Sequence, residues 1–283
     1  MEFTNCPLCN SDSISFFVTN FKNKDFWKCK KCSFVFSSQK NIPNYSDASW
    51  DHMIDPDNKI RDLTNEKEFK IKNWYGNISP FVNDINPGKI LDVGCGLGYL
   101  ISSFSNKWEK YGFEISEFAV SYINKNFPEI NMIKDLDLEK SKPSEKYKEK
   151  FDVIICYHVI EHVKNINYFI NNLSMLLKNN GILIIGTPNI NSLMAKIFKG
   201  NFRLLGDEGH ISLFNKKTMN SILKENHFEV TKIEYPFFKT DYFTIKNFIK
   251  ILNVKAISPP FYGNIMTFYA QKKKINLDIN KSV

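Results

Sequence analysis

From residue 88 onward the chain alternates short apolar runs with amphipathic segments, and this rhythm limits the fold more than any other feature. KILDVG, KYGFEI, INMIK, FDVIIC, GILIIGT, FEVTKIEY and GNIMTFYAQKKK read as strands. Between them LISSFSNKW, SEFAVSYINKNF, NINYFINNLSMLLKN and KKTMNSILKENH have helical spacing. Strands that alternate with helices pair mostly in parallel, because each helix carries the chain back across the sheet. The expectation is an α/β fold: a seven-stranded, mostly parallel sheet with helices on both faces and an antiparallel last strand.

A second pattern precedes it. CPLC and CKKC place Cys6 and Cys9, then nineteen residues, then Cys29 and Cys32. Two residues between thiolates allow a tight knuckle, and two knuckles complete a tetrahedron around Zn²⁺. ISFFVTN and DFWKC read as short strands of a small zinc ribbon. Four cysteines leave no open coordination position, so a structural zinc is expected. The other two cysteines, Cys95 and Cys156, sit in apolar runs and read as buried. The boundaries are then 1–40 for the zinc module, 41–87 for a polar linker and helices, 88–271 for the main domain, and 272–283 for a polar tail. In the linker, Phe69, Trp74, Ile78, Phe81 and Val82 fall on one helical face.

Ligands of such sheets lie beyond the carboxyl ends of the strands. There the first strand ends in ILDVGCGLGYL, where Asp92 precedes Gly94, Gly96 and Gly98. Glu114 ends the next strand, about where an acid can accept hydrogen bonds from ribose hydroxyls. The fourth strand runs into CYHVIEHV, which holds two of the five histidines, His158 and His162, around Glu161. The spelling His-x-x-Glu-His also matches an inverted metalloprotease motif, but that chemistry needs a continuous helix and a third ligand.

ILDVGCGLGYLI, YGFEIS, FDVIICYHVIEHV and LLKNNGILIIGTPN resemble the successive motifs of class I S-adenosylmethionine-dependent methyltransferases, over about residues 70–271. The resemblance implies a Rossmann-like fold and S-adenosylmethionine as cofactor. Gly94, Cys95 and Gly96 would lie against its methionine part, and Asp92 would orient the loop and the amino group. Glu114 would hold the ribose, Asp135 or Leu136 would lie near the adenine, and Cys156 and Tyr157 would flank the sulfonium. A preceding cysteine module resembles bacterial methyltransferases acting on sugars and cell-surface glycans, while EHV resembles ubiquinone-pathway O-methyltransferases. A sugar or phosphorylated sugar derivative as small-molecule acceptor, methylated on oxygen, rests on that resemblance alone. Methylation at carbon or nitrogen of a nucleotide sugar, an RNA methyltransferase, and a non-catalytic binding protein are the alternatives.

A neutral imidazole suits a general base near neutral pH, so His158 and His210 are the candidate catalytic residues. The segment also resembles small-RNA 2′-O-methyltransferases, which bind a divalent ion through a Glu-x-x-Glu-His set. Here His158 replaces the first glutamate, which weakens the case for a second, hard cation at Glu161, His162 and His210. Two insertions, at about 187–214 and 236–262, read as a lid carrying His210 and as a wall of aromatics and lysines. The net charge of +8 comes from dispersed lysines without an arginine–aromatic block, which argues against nucleic acid. The aromatic and basic second insertion admits peripheral membrane contact. MEFTNCPLCN has neither a basic nor an apolar leader segment, and the expected location is cytoplasmic.

Overall fold

The computed structural model describes residues 4–37, 50–54 and 60–274. The linker expectation for 41–49 and the tail expectation for 275–283 lie outside them. The amino-terminal ribbon is β1 (Ile14–Thr19), β2 (Asp25–Cys29) and β3 (Val35–Ser37). A two-stranded pair follows, β4 (Met53–Ile54) and β5 (Ile60–Arg61), and then α1 (Lys67–Asn73) and α2 (Ile78–Asn83). The expected single linker helix is therefore broken. Gly76 lies between the halves, where an added Cβ would come within 2.9 Å of the Lys72 carbonyl. The inner face of α1 is also polar, burying Lys70 and Asn73.

The main domain then alternates as its sequence rhythm implies. It runs β6 (Lys89–Val93), α3 (Tyr99–Ser102), β7 (Glu109–Phe113), α4 (Glu117–Asn126) and β8 (Asn131–Ile133). It continues with β9 (Phe151–Tyr157), α5 (Ile166–Leu176), β10 (Leu177–Pro188) and α6 (Leu193–Phe198). The last elements are β11 (Ser212–Leu213), α7 (Lys216–Glu225), β12 (Phe228–Glu234), α8 (Ile245–Lys250) and β13 (Ile265–Lys272). Among the described residues one seven-stranded sheet has the order β12-β13-β10-β9-β6-β7-β8. Its strands are parallel except β13, which runs antiparallel to both β10 and β12.

Period-two alternation divides the strand side chains between two buried layers. Leu91, Val93, Ile154, Cys156, Leu183, Ile185 and Phe268 face α5 and α7. Ile90, Val153, Ile155, Tyr157, Ile184 and Tyr269 face α2, α3 and α4. Leu177 marks a departure from the expected helix limit at 179: it already pairs with Phe151, ahead of a register shift before Ile182.

The ribbon is not set apart from this domain. Ser212 and Leu213 of the first insertion pair with Phe36 and Val35, so β11 is the fourth strand of the ribbon sheet. Cys6, Cys29, Phe34 and Phe36 share a core with Phe214, Met219 and Ile222. Lys24 crosses the same seam, donating to the carbonyls of Glu208 at 2.8 Å and His210 at 2.9 Å. The insertion expected to form a lid is thus held down by the ribbon, because its extended backbone supplies what the edge of β3 lacks.

Candidate active site

The glycine turn after β6 needs its glycines. Gly94, Gly96 and Gly98 all have positive φ, at 69°, 54° and 74°. A Cβ on Gly94 would come within 2.4 Å of Val159 Cγ2, and one on Gly96 within 2.9 Å of the Trp50 indole. The turn therefore touches the segment following β9 on one side and Trp50 on the other. Glu114 ties the turn to β7. Its Oε2 accepts from the Gly96 N–H at 2.8 Å, and Oε1 accepts from Ile115 and Ser116 N–H at 2.8 and 2.9 Å. Those bonds leave lone pairs on the carboxylate for a further donor. Asp92 is buried, and its carboxyl is pushed well above the ordinary range by burial and then by the Glu114 charge.

Beyond β9 the chain bends sharply. His158 has φ 58°, left-handed for a non-glycine residue, while its N–H donates to the Gly186 carbonyl at 2.9 Å. Such a bend is uncommon and concentrates at functional sites. Its consequence is to aim Nδ1 at Glu161 Oε1, 2.9 Å away. Glu161 is wholly buried, and Thr187 Oγ1 donates to its Oε2 at 3.1 Å. Burial alone would raise the Glu161 carboxyl, but the His158 hydrogen bond and three nearby imidazoles outweigh it and hold it below its ordinary value. An ionised carboxylate only accepts, so Nδ1 carries the hydrogen and Nε2 of neutral His158 holds a lone pair. Glu161 does not begin a long helix, as sequence spacing implied. It lies in a single 3-10 turn, Ile160–His162, and α5 starts only at Ile166. The metalloprotease geometry is absent for the same reason.

His210 is buried, not open to an acceptor as expected from the lid reading. Its Nδ1 lies 2.7 Å from the Leu204 carbonyl, and a carbonyl can only accept, so the neutral ring presents a lone pair at Nε2. That nitrogen lies 3.8 Å from both Glu161 Oε1 and Asp207 Oδ2. His162 packs beside it with ring centroids 4.9 Å apart. Burial, then the neighbouring His210, lowers its imidazole to about 4. One ligand atom each from Glu161, His162 and His210 falls within a 4.8 Å cluster.

The other expected positions are more dispersed. Cys95 and Cys156 are buried beside the turn and in β9, with thiols pushed up by burial. The Tyr157 ring stacks edge-on against Tyr75 at 5.5 Å. Asp135 is engaged by Lys146 at 2.5 Å and Tyr147 Oη at 2.9 Å, and Leu136 is packed in the core. The 139–150 segment, expected to be only a solvated loop, thus braces Asp135.

In the ribbon, the Cys6 and Cys32 sulfurs are 3.7 Å apart and those of Cys9 and Cys29 3.6 Å apart, with all four inside 4.8 Å. A tetrahedron with about 2.3 Å metal–sulfur bonds has edges of about 3.8 Å. The two knuckles are equivalent: Asn10 N–H donates to the Cys6 carbonyl and Ser33 N–H to that of Cys29, both donors at positive φ. The donor set fits zinc.

A glycine turn, an acid ending the second strand and a polar bend ending the fourth all lie along the carboxyl edge of one sheet. The profile described as methyltransferase domain matches residues 68–233. This chain belongs to the methyltransferase domain family. It is 37% identical over 121 residues to the ubiquinone biosynthesis O-methyltransferase of Rickettsia canadensis (strain McKiel), covering 40% of this chain and 48% of that protein. The protein of the same name from Pelagibacter ubique (strain HTCC1062) is 31% identical over 164 residues, 54% of this chain and 65% of its own length. The chain spans about half the length of the first of these curated relatives. In fold it is similar to a SAM-dependent methyltransferase from Archaeoglobus fulgidus, with a TM-score of 0.52 at 20% identity over 74% of this chain and 99% of that one. A SAM-dependent methyltransferase from Thermotoga maritima gives 0.53 at 18%, over 75% and 97%.

Three features of this methyltransferase domain escaped sequence reasoning. Trp50 lies across the glycine turn and donates from Nε1 to Ser116 Oγ at 3.1 Å. Thr187 supports Glu161, and Asp207 faces His210. Thr187 alone had a signal, as a polar residue ending a buried strand.

Proposed function

We propose that this chain methylates a hydroxyl oxygen of a small molecule using S-adenosylmethionine, with His158 as the base. The observation that carries this is the 2.9 Å His158–Glu161 pair on a bend whose next residue, Val159, touches the Gly94 turn. S-adenosylmethionine supplies a methyl group already activated on a sulfonium, so the protein mainly positions reactants. The chain's own groups then have separable tasks. Asp92 pairs with the cofactor's amino group, and Gly94, Cys95 and Gly96 admit its methionine part. Glu114 accepts from the ribose hydroxyls, Asp135 or Leu136 borders the adenine, and Cys156 and Tyr157 wall the sulfonium. His158 Nε2 receives the acceptor's hydroxyl proton, and Glu161 stabilises the resulting imidazolium. Cys6, Cys9, Cys29 and Cys32 hold a structural zinc.

An oxygen acceptor is supported by the relatives named O-methyltransferases. For a sugar or phosphorylated sugar, support comes from a cleft of about 340 Å³ at the same strand edge, lined by Asn189, Asn191, Lys216, Tyr235 and Tyr262. Carboxamides and tyrosines suit hydroxyl-rich rings, and Lys216 suits a phosphate. The test pairs calorimetry with turnover. Glu114→Ala should weaken S-adenosylmethionine binding by about 1–3 kcal/mol, and His158→Ala should lower kcat by about 10²–10⁴ with that binding retained. Unchanged turnover in His158→Ala removes the base; binding of a nicotinamide dinucleotide in place of S-adenosylmethionine removes the whole reading.

A second reading has its own observation. Glu161, His162 and His210 converge, and His210 donates its other ring nitrogen to a carbonyl, as metal-bound histidines commonly do. Two imidazoles and one carboxylate favour a borderline transition ion over Mg²⁺. Loss of turnover on chelation with the cysteine-bound zinc retained, and recovery with added divalent ion, selects this reading over a metal-free base.

A further inference from the structure

The second insertion shows a solvent face that its packing does not explain. Phe237 is buried and touches Phe243, Phe248 and Phe261 at centroid distances of 5.6, 6.4 and 5.1 Å. Around this anchor, α8 together with its C-terminal turn places Ile251 inward onto the cluster of Met194, Phe198 and Phe202. Its opposite side is bare: Ile245 is 79% exposed, Ile249 61% and Leu252 85%. Phe238 at 61% and Phe243 at 50% extend the same apolar surface.

Looseness does not account for this exposure, since the segment is fixed along its length. Asp241 binds Lys72 and Asn73 of α1, and the Asn247 side chain donates to the Tyr242 carbonyl at 2.9 Å. The Asn201 side chain holds the carbonyls of Val254 and Lys255 at 3.2 and 3.3 Å, and Ser258 N–H returns to Asn201 at 2.9 Å. An ordered backbone therefore presents large aliphatic and aromatic side chains to solvent, which marks an interaction surface.

Charge selects the partner. Residues 236–262 hold four lysines, Lys239, Lys246, Lys250 and Lys255, against one acid, Asp241, which Lys72 already neutralises. All four lysines are exposed, and none pairs with a carboxylate among the described residues. Lysines flanking exposed Ile, Leu and Phe suit an anionic bilayer, with aliphatic groups among the acyl chains and ammonium groups at the phosphates. A second copy of this chain fits poorly, since it would bring four more lysines and a net charge of +8 against the same face. No helix among the described residues is long and apolar enough to cross a membrane, so contact would be peripheral.

We propose that α8 and the flanking aromatic segment, residues 237–255, dock this chain on the surface of an anionic lipid bilayer. The inference does not depend on the methyl acceptor. It does place the acceptor cleft near the headgroups: Tyr262 lines that cleft and stacks on Phe238 at 5.2 Å.

Flotation of the full chain with phosphatidylcholine vesicles, with and without phosphatidylglycerol, tests it. Binding should require the anionic lipid and fall with salt. Lys246→Gln with Lys250→Gln should weaken it about thirty-fold, near five-fold per lysine. Ile245→Ser with Ile249→Ser and Leu252→Ser should abolish it without changing the thermal midpoint. The control pair Lys142→Gln and Lys148→Gln, on a distant exposed loop, should leave it unchanged. Equal binding to neutral vesicles, or equal weakening by the control pair, overturns the proposal. So does concentration-dependent self-association that the triple variant removes while vesicles are ignored.

Discussion

If Asp92 holds the cofactor as proposed, it serves binding at the expense of stability. Burial and the Glu114 charge raise its carboxyl well above the unfolded value. A group raised on folding contributes stability that is fully present below its unfolded pKa and is lost as pH rises through the folded one. At neutral pH Asp92 therefore opposes folding of the cofactor-free chain, and Asp92→Asn should stabilise it by about 1 kcal/mol. In the proposed binding mode the cofactor's cationic amino group would reverse the balance by favouring the ionised carboxylate. Across the pH range in which free Asp92 titrates, S-adenosylmethionine binding should release protons and tighten as pH rises. Asp92→Asn should weaken that binding roughly ten-fold to a hundred-fold. Calorimetry in buffers of different ionisation heat reads the proton directly; identical apparent enthalpies would remove Asp92 from the cofactor site.

The same scale separates what the sequence made legible from what it hid. The position of Asp92 at a strand end was readable, because an apolar run followed by a glycine turn fixes both the strand and its end. The exchange between His158 and Glu161 was not. Spacing suggested the start of a helix, whereas a left-handed His158 and one 3-10 turn form a tight bend. Backbone φ at a non-glycine residue leaves no mark in composition, and the partner Thr187 comes from another strand.

At the scale of elements, that bend carries a prediction. Glu161 accepts from His158 on one oxygen and from Thr187 on the other, so its charge and orientation are set by two strand ends at once. Glu161→Gln keeps the shape but replaces one acceptor oxygen with an amide that donates. His158 would then lose its fixed tautomer, while the proposed cofactor contacts on β6 and β7 stay intact. Turnover should fall by about ten-fold to a hundred-fold with S-adenosylmethionine affinity unchanged. Full turnover in Glu161→Gln would mean that Glu161 acts through packing alone. Element boundaries departed from expectation where Gly76 and the buried polar face of α1 split the linker helix, where α3 is only Tyr99–Ser102, and where β10 begins already at Leu177.

On the scale of the whole molecule, the sequence reading treated the cysteine ribbon as a separate module, and the structure joins it to the main domain. Local spacing revealed the knuckles, but only tertiary pairing could reveal β11 as the ribbon's fourth strand. The second knuckle is also held from outside: Asn215 Nδ2 donates to the Ser33 carbonyl at 3.1 Å and Thr218 Oγ1 to that of Cys32 at 3.0 Å. Between β3 and α7 runs the segment with Asp207 and His210, and the Ser37 N–H donates to the Ile211 carbonyl at 2.9 Å. Losing the proposed zinc should therefore loosen the ribbon sheet, β11 and the start of α7 together, since metal binding supplies much of the order of such a module. The cofactor turn lies strands away and should be spared. Cys29→Ser should lower the thermal midpoint, raise amide exchange over residues 203–213, and depress turnover by loosening the Ile211 N–H bond to the Glu161 carbonyl beneath the proposed base, with S-adenosylmethionine affinity near wild type. Raised exchange confined to residues 4–37, with full turnover, would show that the ribbon only decorates the domain.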